Sequence, residues 1–182
     1  NKLNLDFKAA ETLEQIEEMY PGKGNLNNIG LHYSNSGHDD KALSFYEKAF
    51  KKNASEVTAF NIALHHKGNN KDEYLNYLKK AQEINPEHNP SAYNLALELK
   101  KQGNVSEAES LLNKAFNNWQ IKFQNNEMSK SDYSWFSSCA RALGKNDYAQ
   151  HILDSEPKEN LEKIYNSDNL TQIKQEEGLQ KF

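Results

Sequence analysis

Residues 89–116 read NPSAYNLALELKKQGNVSEAESLLNKAF, and this stretch decides the fold. From Ala92 to Gln102 the apolar residues Ala92, Leu95, Ala96 and Leu99 lie three and four apart. That spacing lays one stripe along an α-helix. Asn89-Pro90 opens the arm: asparagine accepts from free N–H groups, and proline suits the first helical position, where no N–H partner is needed. Gly103 closes it, since glycine tolerates the left-handed backbone at a helix end. A second arm begins at Ser106 with Glu109 three residues on, the spacing of a capping box. Its stripe is Ala108, Leu111, Leu112 and Ala115. Small Ala96 and Ala108 predict close approach of the arms. Neither arm buries its stripe alone, so the stretch predicts a helical hairpin that needs neighbours.

The rest of the chain supplies them. Asn28-Ile29-Gly30, Asn61-Ile62-Ala63 and Asn94-Leu95-Ala96 recur 33 residues apart. Tyr33, Gly37, Ala42, Tyr46 and Ala49 follow the first triplet, and Gly68, Tyr74, Leu78, Ala81 and Pro86 the second. A fourth copy shows Phe136, Ala140, Gly144, Ala149 and Leu153, with Pro157 beyond. The pattern resembles the tetratricopeptide repeat (TPR) family, whose helix-turn-helix units stack into a right-handed superhelix. The resemblance implies an all-α, right-handed α-α superhelix of about four hairpins with flanking N- and C-terminal helices. It divides the chain into a half-repeat helix (5–21), repeats at 23–54, 56–87, 89–124 and 130–156, and C-terminal capping helices (158–182).

Three departures carry expectations of their own. In the second copy the first arm is about two residues short, and Tyr74 fills a slot where a small residue is usual, which predicts looser packing between its helices. Between the third and fourth copies the period is longer by about two helical turns, which preserves the face. The extra length is expected in the second arm, Ser106 to about Gln124, with Phe116, Trp119 and Phe123 packed against the fourth copy rather than forming a docking ridge. At the N-terminus Ala9, Leu13, Ile16 and Pro21 repeat the second-arm pattern without a first arm. A fragment of a longer repeat protein is the expectation, with a natural cap as the alternative. The tail, with Leu161, Ile164 and Tyr165 and then Leu170 and Ile173, is expected to form short amphipathic capping segments.

Composition narrows the function. Hydrophobic residues make up 36% of 182, and the mean hydropathy is −0.97, values that an elongated two-layer stack tolerates. A net charge of −4 with interspersed Lys and Glu argues against nucleic acid, which calls for a concentrated basic face. No apolar run approaches the ~20 residues of a membrane span. The default expectation is a cytoplasmic protein, and the abundance of Asn and Lys suggests a low-GC, bacterial genome. Catalytic signatures are missing: no Gly-rich phosphate loop, no His-Glu-x-x-His and no Cys-x-x-Cys. Cys139 reads as a small core residue. His65-His66 point about 100° apart on a helix and do not share a metal easily. His32, His38, Asp39 and Asp40 read as an exposed polar turn. No cofactor and no metal are expected.

The chemistry that remains is an asparagine column, Asn28, Asn61 and Asn94. The resemblance implies that this slot lies on the first arm and faces the concave groove. An amide both donates and accepts, so it pairs with the backbone of an extended peptide whatever its sequence. Trp135 breaks the column in the fourth copy. Helical geometry adds Leu31 and Asn35; Leu64, His65 and Gly68; Tyr93, Leu97, Glu98 and Lys101; and Ser134, Ser138 and Arg141. The basic slots of carboxylate-binding TPR proteins hold Leu, Pro or Asn here, while Lys101 and Arg141 leave weaker recognition of an acidic peptide open. A non-catalytic peptide- or protein-binding scaffold is the expected function, with Asn28, Leu31, Asn61, Leu64, Tyr93, Asn94, Leu97, Lys101 and Arg141 as its site. The alternatives are a structural or self-associating array, with the chain's own tail or a second copy in the groove, and an accessory domain of a larger enzyme or chaperone.

Overall fold

The computed structural model describes residues 2–157, and the tail segments expected at 158–182 lie outside them. The described residues form helices and turns, with no strand among them. In order they are α1 (Lys2–Met19), α2 (Leu26–Asn35), α3 (Asp39–Lys52), α4 (Glu56–His66), α5 (Lys71–Ile84), α6 (Asn89–Lys101), α7 (Val105–Gln124), α8 (Lys130–Ala142) and α9 (Asn146–Asp154). Substantial backbone contact runs only between helices adjacent in sequence, as in a repeat stack. The hairpins are α2/α3, α4/α5, α6/α7 and α8/α9, with α1 packed on α2. Each hairpin turn bends through a glycine at positive φ: Gly37, Gly68, Gly103 and Gly144.

The third hairpin buries the stripe that its sequence predicts: Ala92, Leu95, Ala96 and Leu99 from α6 meet Ala108, Leu112 and Ala115 from α7. Its helix starts differ from expectation. His88, not Asn89, is the N-cap of α6. Asn89 is buried, and its Oδ1 accepts from Asn118 Nδ2 of α7 at 3.0 Å. Ser106 lies inside α7, whose N-cap is Asn104 without a side-chain bond. Among the described residues a reciprocal capping box is formed instead by Ser129 and Asp132 at the start of α8. Local spacing allowed both assignments; the turn length after Gly103 selected one.

The expectation of loose packing in the second hairpin is overturned. Helices α4 and α5 are in contact as extensively as the helices of the third hairpin. Tyr74 is 4% exposed and belongs to the same core cluster as Ala59, Phe60 and Ala63 of α4. Its hydroxyl escapes an unsatisfied burial by donating to Asn94 Oδ1 of α6 at 2.9 Å. Burial pushes its pKa up to about 12, and that of Tyr46 likewise. The protonated phenols favour the native state below pH 10, and that advantage is lost as pH rises from 10 towards 12. Tyr74→Phe leaves the Asn94 oxygen with a weaker donor and is expected to lower stability by about 1–2 kcal/mol in urea denaturation.

Helix α7 has the expected lengthening, to 20 residues. Phe116 and Trp119 are buried, Phe123 half-buried. All three rings lie against Phe136 of α8, at centroid separations of 5.1, 6.4 and 5.9 Å. The aromatic stripe is therefore core between the third and fourth hairpins. In α9 the buried position after Ala149 is Ile152 rather than Leu153, which is half-buried. Cys139 is fully buried among core residues, as a small core side chain, and desolvation pushes its thiol up to about 12, which disfavours the thiolate.

Helix α1 docks through Phe7, Ala10 and Leu13; Leu13 belongs to the predicted stripe, whose Ala9 and Ile16 are half-buried, while the fully buried residue is Ala10. Polar contacts select that docking face. Asp6 accepts from or pairs with His32 Nδ1 at 2.8 Å, Tyr33 Oη donates to Glu14, and Phe7 stacks on His38 at 4.6 Å. Glu17 accepts backbone N–H bonds from Gly22 at 2.8 Å and Gly24 at 2.9 Å, with Lys52 at 3.7 Å. Those two amides, with the lysine, hold its carboxyl below the usual range. A depressed carboxyl pKa stabilises above the unfolded value and loses that contribution as pH falls through the folded one. Glu17→Gln is expected to lower the Tm at neutral pH, and the difference from the parent chain should vanish on acidification through that range.

Candidate functional site

The first helices of the hairpins, α2, α4, α6 and α8, share one face of the stack, and its two ends differ. At the N-terminal ends of these helices the face is closed by aromatic rings. Trp135 of α8 meets Tyr93 of α6 at 5.9 Å and reaches past it to Phe60 of α4 at 6.0 Å, both edge-on. His88 also lies edge-on to Phe60, at 5.2 Å, and its burial lowers its pKa, favouring the neutral imidazole. Trp135, which interrupts the asparagine column, is thus the ring that closes this end.

Towards the hairpin turns the face opens. A groove of about 700 Å3 lies between the first two hairpins, lined by Leu31, Ser34 and Asn35 of α2, Asp39 and Asp40 of α3, and Asn61, Leu64 and His65 of α4. Lys67 and Asn69 line its far edge and also a second hollow of about 420 Å3, completed by Lys71, Tyr74, Glu98 and Lys101. The two hollows therefore meet across the second turn. Leu31 is 42% exposed, high for its size. Asp39 and Asp40 occupy the first turn of α3, where the helix dipole favours them.

The asparagine column is not uniform. Asn28 is exposed, and its backbone N–H donates to Asn25 Oδ1 at 3.3 Å. Asn61 is half-buried; its Nδ2 donates to Asn27 Oδ1 at 3.1 Å, which also accepts from Thr58 at 3.3 Å. Asn94 is 1% exposed. Its Nδ2 donates to the Pro90 carbonyl at 2.8 Å, and its Oδ1 accepts from Tyr74 Oη and from Lys67 Nζ at 3.4 Å. The expectation that Asn94 offers its amide to a partner thus meets a side chain already satisfied within the chain. Its position on the helix was legible; the tyrosine on the preceding helix, α5, was not. Of the remaining candidates, Leu31, Asn61 and Leu64 share the larger hollow and Lys101 lines the smaller one. Tyr93 belongs to the aromatic closure, Leu97 is half-buried and Arg141 is exposed on α8. Residue spacing missed Lys67, Asn69 and Lys71, because they lie in the turn after α4 and at the first position of α5, and helical periodicity says nothing of turns or helix starts.

Among the described residues no group of three His, Cys, Asp or Glu side chains is arranged to hold a metal. His65 and His66 stand nearly perpendicular, 5.3 Å apart. Among the same residues no helix is long and apolar enough to cross a membrane.

A tetratricopeptide repeat profile matches residues 24–54, the first hairpin. No curated protein matches the sequence. Among solved structures, the crystal structure of MamA is similar with a TM-score of 0.52 at 16% identity, over 88% of this chain and 89% of that one. A tetratricopeptide repeat protein from Parabacteroides merdae ATCC 43184 is similar with a TM-score of 0.53 at 19% identity, over 94% of this chain and 82% of that one. At such identities the likeness concerns the fold, an α-α superhelix.

Proposed function

Because this chain is a protein of tetratricopeptide-repeat fold, we propose that it is a non-catalytic scaffold that holds an extended segment of another protein in the groove between its first helices. The observation that carries this reading is the open hollow of about 700 Å3, in which Leu31, Asn61 and Leu64 stand together. Asn61 donates to Asn27, and its Oδ1 has no partner among the described residues, so it is left to accept a backbone N–H. Leu31 and Leu64 offer apolar contact beside it. Asn28 extends the polar edge from the exposed side of α2, Leu97 and Arg141 extend the face along the array, and Tyr93 and Trp135 limit how far the segment runs. Asn94 supports the site from behind by orienting Lys67.

A display library of random linear segments, selected on the full chain, tests this. Selected segments should lose affinity about fivefold or more with Leu64→Arg and about twofold to tenfold with Asn61→Ala, while Leu5→Arg on α1 should have no effect. Segments that bind both groove variants as well as the parent chain would refute the groove as the binding surface.

A further inference from the structure

The hollow at the second hairpin turn gathers Lys67, Lys71 and Lys101 around one carboxylate, Glu98. Glu98 is 8% exposed and pairs with Lys101. Lys67 Nζ reaches the neutral amide oxygen of Asn94 at 3.4 Å. Lys71 has no counter-ion among the described residues. It is the first residue of α5, where its charge adds to the positive end of the helix dipole. Lys67 and Lys71, neither of them ion-paired among the described residues, thus line a single concavity of about 420 Å3. Like charges gathered in a cleft raise its potential, destabilise the free chain and are relieved by a bound anion.

We propose that this hollow is the subsite for an acidic side chain, aspartate or glutamate, on the extended protein segment that the groove holds. The inference rests on the groove reading and names the chemistry that the groove selects. Three observations favour a carboxylate on a protein segment over a free anion. Lys67 and Asn69 line both hollows, so a chain lying along Leu31 and Leu64 continues into this one. Glu98 in the wall repels a phosphate dianion more than a singly charged carboxylate. Asp39 and Asp40 line the other hollow, so an acidic residue of the segment is directed away from the first hairpin and towards the lysines.

The test titrates isotope-labelled full chain with a short blocked peptide carrying adjacent Leu, Glu and Asp, with its Gln/Asn counterpart, and with inorganic phosphate, following backbone amides by NMR. The acidic peptide should shift Gly68, Asn69 and Lys101 saturably, and Lys71→Gln and Lys101→Gln should each weaken it about two- to fivefold. Its affinity should fall as salt is added. Equal affinity for the Gln/Asn peptide would remove the acidic subsite and leave the groove reading standing. Shifts at these amides with neither peptide would overturn the subsite and weigh against the groove as well. Saturation of the same amides by phosphate at the concentration that the acidic peptide needs would make this a free-anion site and overturn the proposal.

Discussion

Trp119→Ala should lower the unfolding free energy by about 3–5 kcal/mol, the largest loss expected from a single substitution in this chain. Trp119 is fully buried in the long helix α7, against Phe136 of α8. Its removal takes away a large apolar area and leaves a cavity, because the hairpins on either side collapse only partly. It also strands a polar contact. Indole Nε1 donates to Asp132 Oδ1 at 3.1 Å, and the other oxygen of Asp132 accepts from the Ser129 N–H at 2.9 Å in the capping box that starts α8. The substitution therefore loosens a helix start and a core layer together. In a stack whose substantial backbone contacts run between adjacent helices, the loss should be mostly local. Urea denaturation should show a lower midpoint, and hydrogen exchange should show α8 and α9 losing protection while α2 to α5 keep theirs. Uniform loss across the array would mean that the hairpins unfold as one cooperative unit.

Gly30→Val should cost about 1–3 kcal/mol by overpacking. Gly30 lies inside α2, where a glycine weakens the helix and needs a reason. The reason is the ring of Tyr46 on α3: a Cβ at position 30 would stand 2.7 Å from two of its carbons and 3.1 Å from the Ala42 carbonyl oxygen. Tyr46 is 4% exposed and has no room to swing away. The helices of the first hairpin would have to separate, and that separation would open the core that Ile29, Tyr33 and Phe45 share. Gly37→Ala is the control. Nothing lies within 4 Å of its would-be Cβ, and only the backbone angle of φ 81° opposes the change. It should cost about 1–2 kcal/mol from strain, with no loss of contact between α2 and α3. Thermal melts compared with the near-UV signal of the buried tyrosines separate the two causes.

The residue pattern by itself determined the hairpin stack. The 33-residue recurrence of Asn-Ile/Leu-Gly/Ala, the glycines at each turn and the small residues where helices meet are local signals, and helical periodicity turns them into faces without further information. The lengthened α7 was legible for the same reason, since two added turns keep Phe116, Trp119 and Phe123 on one side. Tertiary structure decided what those faces do. Whether Asn94 meets a partner or Tyr74 depends on a side chain from the preceding hairpin, and Tyr74 was itself an apparent misfit until its hydroxyl found that amide. The register of α1 was settled by Asp6, Glu14 and Glu17 reaching across to residues of the turn after α1 and of α2. The lysine hollow arises where a turn and the end of a neighbouring helix converge. Periodicity reports which side of one helix is apolar; it carries no information about which polar atoms two helices bring within hydrogen-bond distance, and the candidate site is made of those.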